Sequence, residues 1–326
     1  MRLSLFGLVL IIAATSSCRS DSKGGSSNSN SSANSFACSD KSGLGLINGR
    51  STAEFRSVVL LGAIRKSDNG YKRSTCTGTY VGPNTVLTAA HCVDGSDTGG
   101  LTVMTGERFD TVQDFLNGMN RGTKPLKAIF GTKFGETLNP NIAEDRRQDM
   151  AILIMPGNSA PAVTPILDHR PEESQAATTV GYGAVSMDHP EESLAVIKRY
   201  GYNRVRLTYP GISGGGLFIT GRSTESRDNR PAVDSMSAPG DSGGPMFING
   251  AVAGTVTGGS PDVADPTKAF AVYLDLNNEE SLATLARAQA AGAQIQRASI
   301  GPVQSAPFAS PDLDCKQVAI ANSAEN

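Results

Sequence analysis

Along the body of the chain, short apolar runs alternate with glycine-bearing breaks: FRSVVLLGAI, NTVLTAAHCV, DMAILIM, ATTVGYGAV, GGGLFIT, GPMFINGAVAGTVT and AFAVYLDL. Val, Ile and Thr are frequent in them and turn residues bound them, which is how strands of a sandwich or barrel read. The pattern predicts an all-β fold. One late segment has another period: NNEESLATLARAQAAGAQIQ sets Asn before acids in a first turn and apolar residues at helical spacing, which predicts a helix over about residues 279–296. The charged and glycine-rich stretches at roughly residues 100–145 and 184–230 read as long loops on the β framework. No internal repeat is visible.

With 326 residues, 39% hydrophobic and 18% charged, the chain can bury one large core or two smaller ones. Lys and Arg total 29 against 31 Asp and Glu, and the resulting charge of -2 gives no electrostatic footprint for nucleic acid or anionic lipid. The first 17 residues, MRLSLFGLVLIIAATSS, have the layout of a cleaved export signal: an arginine, an apolar run too short to span a bilayer comfortably, then small residues. Cys18 follows, and behind it RSDSKGGSSNSNSSANS has too little apolar surface to offset its ordering entropy, so residues 18–40 read as a flexible tether and pro-segment. A cysteine at the end of an export signal resembles a bacterial lipoprotein, whose signal is cut before a cysteine that is then lipidated. That pattern prefers leucine three residues before the cysteine, where this chain has Thr15. An ordinary secretory signal cut nearby is the alternative.

Setting Cys18 aside leaves Cys38, Cys76, Cys92 and Cys315, an even set in an exported chain, with three possible pairings. Cys76 and Cys92 flank TGTYVGPNTVLTAAH, two short strands around the Gly82-Pro83-Asn84 turn, and can meet across that hairpin-like pair. Closing a loop of about 15 residues contributes roughly 3 kcal/mol in the chain-entropy account. Cys38 and Cys315 then remain, and their pairing would tie the two ends of the folded body together. The absence of any CxxC weakens a zinc reading, and no metal or cofactor is expected.

Candidate chemistry centres on SAPGDSGGPMF, residues 237–247, in which Gly240-Asp241-Ser242-Gly243-Gly244 fits G-x-S-x-G, the nucleophile elbow of α/β-hydrolases. Gly211-Ile212-Ser213-Gly214-Gly215 fits it too, and reads as a loop leading into the strand GGGLFIT. A serine hydroxyl needs a base to take its proton, usually histidine. The chain's three histidines, His91, His169 and His189, all precede Ser242, whereas the elbow fold needs its histidine after its serine. That order excludes the α/β-hydrolase reading. His169 and His189 stand in LDHRPEES and MDHPEES, polar and proline-bearing contexts of exposed loops, while His91 ends an apolar strand beside a candidate disulfide. Asp149 opens DMAILIM, a carboxylate at the mouth of a buried strand, where it can hold an imidazole in one tautomer.

Taken together, LTAAHCV (87–93), DMAIL (149–153), VGYGAVS (180–186) and GDSGGP (240–245) resemble the chymotrypsin/trypsin-like serine peptidases in kind, order and approximate separation. The resemblance covers about residues 47–298, leaving 299–326 as a C-terminal tail. It implies two packed six-stranded antiparallel β-barrels with a C-terminal helix, and peptide-bond hydrolysis through an acyl-enzyme. Ser242 would be the nucleophile, His91 the base, Asp149 its orienting acid, and the N–H groups of Gly240 and Ser242 the oxyanion hole. Asp241 would pair with a new α-amino group, which Ile47-Asn48-Gly49-Arg50 resembles the segment to supply; a cut between Leu46 and Ile47 would release it, with Cys38 keeping the released segment attached through Cys315. Alternatively, Asp241 finds a partner without cleavage. The primary pocket would have Met236 and Ser237 at its base and Gly259 and Ala271 in its walls, or Asp234 at the base if the alignment carries a short insertion; the family's cystine there is missing, with Ala238 near its first position. Polypeptide substrates, a monomeric state, and a place in the cell envelope or outside the cell complete the expectation.

Overall fold

A computed structural model describes residues 50–67, 70–93, 100–131, 134, 148–183, 195–209, 216–220, 235–260 and 270–299. The expectations for the export signal, Cys18, the tether, Cys38, Ile47, His189, Ser213, Asp234 and Cys315 lie outside those residues.

In chain order the strands are β1 (Arg50–Ser51), β2 (Val58–Ser67), β3 (Gly70–Gly82), β4 (Thr85–Thr88), β5 (Leu101–Met104), β6 (Arg108–Phe109), β7 (Lys127–Phe130), β8 (Ala151–Ile154) and β9 (Ile166–Leu167). They continue as β10 (Ala176–Gly181), β11 (Val196–Ile197), β12 (Arg199–Arg204), β13 (Leu207–Tyr209), β14 (Gly216–Thr220), β15 (Pro245–Ile248), β16 (Ala251–Ser260), β17 (Phe270–Asp275) and β18 (Arg297–Ala298). Among the described residues, two α-helices, α1 (Val112–Arg121) and α2 (Glu279–Ala290), and one 3-10 turn, Ala90–Cys92, join them.

The strands form a first sheet in the order β5-β2-β3-β4-β8-β7 and a second built on β1-β12-β10-β15-β16-β17-β14-β13. This is the mostly-β architecture that the apolar runs imply. The first sheet has the expected six strands. In the second, β9 adds itself parallel to β16, and β18 parallel to β9, so this sheet is larger and mixed.

The runs look continuously apolar because both faces of these strands are buried. Side chains alternate across a strand, and Val59, Leu61 and Ala63 of β2 join Ala151 and Leu153 of β8 in one core, while Val58, Leu60 and Ile152 turn to another. That other core also takes Val180, Phe247 and Leu274 from the second sheet. β15 divides in the same way, with Met246 and Ile248 on one side and Phe247 on the other. Between β15 and β16, Asn249 and Gly250 both have positive φ, +50° and +82°, which is the two-residue hairpin turn for which Asn-Gly is the strongest short signal.

Two expectations change. The stretch 100–145 contains β5, β6, α1 and β7, and the stretch 184–230 contains β11 to β14. Thr111 caps α1 through a reciprocal pair with Asp114, and Phe115 is its buried anchor. Gly118 in its middle masked the helical period; a Cβ there would lie 2.6 Å from Phe109, so glycine is what lets the helix approach. α2 starts as expected, Asn278 accepting from the Ser281 N–H, but stops at Ala290. Beyond it the extended backbone finds better partners: Gln296 donates to the Val81 carbonyl, and β18 pairs with β9.

Candidate active site

β4 and β8 are antiparallel, with Thr88 opposite Ala151. The residues just after β4 therefore meet those just before β8, and His91 comes to Asp149. The His91 backbone N–H donates to Asp149 Oδ1 at 2.8 Å, and His91 Nδ1 lies 2.6 Å from Asp149 Oδ2. One carboxylate thus grips both the main chain and the ring. Asp149 is fully buried and His91 keeps about a quarter of its side chain exposed, so the ring edge away from the acid faces outward. A proton on Nδ1 satisfies the carboxylate, leaving Nε2 a lone pair.

A tight turn sets the carboxylate. Met150 N–H donates to the Gln148 carbonyl at 2.6 Å, and Gln148 has φ +50°, a left-handed conformation rare for a residue with a long side chain. Gly131 backs onto it, since a Cβ at 131 would lie 2.3 Å from the Gln148 oxygen.

The Cys76–Cys92 disulfide is formed, joining β3 to the turn that carries His91. Cys92 Sγ lies 3.8 Å from His91 Nε2 and 3.6 Å from the Ser242 carbonyl oxygen. Ser242 enters from the second sheet on the turn before β15 and is half-buried. Its carbonyl accepts from Thr77 N–H at 2.8 Å, while Gly243 N–H donates to Val256 and Gly244 N–H to Asp241. The Gly240 and Ser242 N–H groups are not taken by any acceptor among the described residues. Ser242 Oγ and His91 share no hydrogen bond in this structure; such contacts commonly close in the substrate complex.

Asp241 is fully buried on the inner side of the same turn. Oδ1 accepts from Gly183 N–H at 2.7 Å and Oδ2 from Ala238 N–H at 2.8 Å. Burial pushes its carboxyl up to about 7, against the pull of these two donors and of Arg199. Gly181 and Gly183 make room for it, because a Cβ on either would lie within 2.3 Å of a carboxylate oxygen.

The expected pocket residues cluster in part. Gly259 pairs with Ala271 across β16 and β17, and Ser237 Oγ lies 2.7 Å from Tyr273 Oη, two residues further along β17 on the face that bears Ala271. Met236 is buried beside Ser237. His169 stands exposed, its Nδ1 2.8 Å from Asp168 Oδ1 and away from this constellation. Cys76, His91 and Cys92 carry ligand-type atoms within 4.8 Å of one another, but both sulfurs are in the disulfide and offer a metal no thiolate.

Sequence reasoning missed Thr77. Its N–H holds the Ser242 carbonyl, its hydroxyl donates to the Gly240 carbonyl at 2.9 Å, and the same Thr77 hydroxyl oxygen accepts from Tyr182 N–H at 3.1 Å. A threonine in the middle of a strand carries no signal of such a task. Tyr182 also reaches across, donating its hydroxyl to the Gly106 carbonyl. The glycines flanking it in VGYG were the available signal, since alternate glycines in a strand mark close approach by another group.

A family model described as Trypsin matches residues 47–279. Among solved structures, "neuropsin, a serine protease expressed in the limbic system of mouse brain" is similar with a TM-score of 0.52 and 19% identity, covering 74% of this chain and 99% of that one. At that identity the likeness is one of fold. No curated protein sequence matches the chain.

Proposed function

The chain belongs to the trypsin family, and from that premise we propose how its own residues carry the reaction of a serine endopeptidase. That activity class follows from the family and the fold; the roles below are our reading. Ser242 Oγ attacks the scissile carbonyl carbon while its proton passes to His91 Nε2, and Asp149 holds the opposite ring nitrogen and stabilises the imidazolium. The carbonyl oxygen takes up the electron pair and rests on the N–H groups of Gly240 and Ser242. The C–N bond then breaks as His91 returns its proton to the leaving amine, and water repeats the sequence on the acyl-enzyme. The observation that carries the reading is the double grip of Asp149 on His91, at 2.6 and 2.8 Å, beside a Gly-Asp-Ser-Gly-Gly turn.

The base of the primary pocket is assigned to Met236 and Ser237, with Gly259 and Ala271 as walls, which favours neutral side chains before the cleaved bond. The neutral Ser237–Tyr273 hydroxyl pair supports this. In the alternative, Asp234 takes the base and selects Lys or Arg. Peptide substrates differing in that side chain, compared between wild type and Asp234→Ala, separate the two.

The chain is further read as a zymogen, cut between Leu46 and Ile47, whose new α-amino group joins Asp241. Export through residues 1–17, lipidation at Cys18, a Cys38–Cys315 link and a monomeric state in the cell envelope or medium complete the proposal. The mass of the mature N-terminus tests the lipid; an unmodified start beyond Cys18 rejects it.

The decisive experiment is labelling by a fluorophosphonate probe, expected in the wild type and lost in Ser242→Ala, followed by casein and ester assays. A folded wild-type protein that takes no label refutes the assignment.

A further inference from the structure

The turn from Gly240 to Gly244 commits nearly every main-chain group it has. Of its N–H groups, Asp241 donates to the Ala238 carbonyl, Gly243 to Val256 and Gly244 to Asp241, while those of Gly240 and Ser242 meet no acceptor among the described residues. All five carbonyls have donors. Asp241 accepts from Gly244 N–H, Gly243 from the Thr255 hydroxyl at 2.9 Å, and Gly244 from Val256 N–H. The other two, of Gly240 and Ser242, both go to Thr77. One residue of the first sheet thus holds, by their carbonyls, the two residues whose N–H groups are left to receive a substrate oxygen.

The two contacts differ in kind. Ser242 is held by the Thr77 N–H, which any residue but proline offers. Gly240 is held by the hydroxyl, so its restraint depends on the side chain at 77. Thr77 is fully buried, and the accepting side of its hydroxyl is taken by Tyr182 N–H at 3.1 Å, which turns the single proton toward Gly240. The branched side chain has few rotamers, and its methyl faces Gly244, where an added Cβ would lie 3.2 Å from it. Main-chain anchors fix the residue itself: the Cys76–Cys92 disulfide is one position away, and the Thr77 carbonyl accepts from the Thr88 hydroxyl at 2.8 Å. The Gly240–Asp241 peptide is therefore gripped at both ends, its N–H by Ala238 and its C=O by Thr77. Gly240 needs the grip, because with φ +102° and no Cβ nothing in the residue limits its own rotation.

We propose that the Thr77 hydroxyl is a positioning group for the oxyanion hole: by fixing the Gly240 carbonyl it fixes the direction of the Gly240 N–H. Removing it leaves that carbonyl and the Tyr182 N–H without partners. The glycine then rotates to bring its carbonyl to water, and its N–H swings off the site of the developing oxyanion. The loss falls on the transition state, where the negative oxygen forms, and spares ground-state binding. This inference rests on the peptidase assignment above.

The test compares the full chain with Thr77→Val, close in shape but without the hydroxyl, and Thr77→Ser, which keeps it. Fluorophosphonate labelling gives a rate and a final stoichiometry, and the p-nitrophenyl acetate burst gives the acylation rate constant separately from its half-saturation concentration. In Thr77→Val the labelling and acylation rates fall at least tenfold, toward the roughly 100- to 1000-fold of a lost oxyanion donor, while stoichiometry and half-saturation stay within about twofold of wild type. Thr77→Ser restores both rates to within about threefold of wild type. Thr77→Val rates as fast as those of Thr77→Ser overturn the proposal, as does a Thr77→Ser as slow as Thr77→Val, which assigns the effect to the methyl. Reduced stoichiometry at an unchanged rate, or a loss confined to half-saturation, assigns Thr77 a merely structural role and also overturns it. If Thr77→Val shows no cooperative unfolding in urea, Thr77→Ala takes its place with the same expected result; failure of both to fold assigns the hydroxyl to folding and overturns the proposal. Absence of label on the wild type overturns the peptidase assignment itself.

Discussion

Gly243 is where the nucleophile turn presses on the first sheet, and replacing it by alanine separates backbone strain from packing. A Cβ there would lie 2.1 Å from Thr88 Oγ1, 2.5 Å from the Thr77 carbonyl oxygen and 2.7 Å from Ala89 N. Two of these atoms are backbone, and the third donates to the Thr77 carbonyl at 2.8 Å. The residue also has φ +79°, which costs any L side chain about 1–2 kcal/mol. Forcing a methyl into packed surroundings adds about 1–3 kcal/mol, so Gly243→Ala should lose about 2–5 kcal/mol in all. Gly250 is the control: its φ is +82°, and a Cβ there meets nothing within 4 Å. Gly250→Ala should cost only the backbone part, about 1–2 kcal/mol. Urea unfolding at constant slope gives both values. Labelling by the fluorophosphonate probe should be unchanged in Gly250→Ala. In Gly243→Ala it should fall at least tenfold, because the methyl drives Ser242 away from the Ala89–Cys92 segment. Equal destabilisation of the two variants, or full labelling of Gly243→Ala, would refute the claim that this contact sets the distance between nucleophile and base.

Three further outcomes follow from the same geometry. Asp149→Asn removes the charge that stabilises the imidazolium and admits the wrong tautomer, and turnover should fall on the order of 10⁴-fold with the fold intact; a drop of less than tenfold in a peptide assay would count against Asp149 as the orienting acid. Replacing both Cys76 and Cys92 by alanine opens a loop of about 15 residues and should cost roughly 3 kcal/mol in urea unfolding, and unchanged stability would contradict the contribution assigned to the disulfide. In the uncut chain, the Asp241 carboxyl is raised from 3.8 to about 7, so the native state binds its proton more tightly than the unfolded state. The resulting stability, about 4 kcal/mol at most, is fully present below about pH 4 and is lost as pH rises through 7. Unfolding midpoints between pH 4 and pH 8 should show this decline in wild type and a flatter profile in Asp241→Asn; identical profiles would refute it.

The amino-acid sequence by itself determined the fold class, the chemical type of the site and its chain order. Apolar runs bounded by turns are a local property, and so is the glycine content around Ser242, which is why strands such as β8 and β15 and the serine turn were legible. Chain order alone excluded the α/β-hydrolase reading, since no histidine follows Ser242. The start of α2 was legible for the same local reason, Asn278 followed by two glutamates. Its end was not, because residues 294–298 leave the helix for partners on β9 and near Val81 that lie far away in sequence. α1 was hidden by Gly118, whose reason is the close approach of Phe109 and Met104. Only the tertiary structure decided how the site is held. Thr77 reaches Gly240, Ser242 and Tyr182 across more than a hundred residues of chain, and Gly181 and Gly183 give up side chains to admit a carboxylate that arrives from Asp241. Positions of this kind have no local signal, because their task is defined by what packs against them after folding.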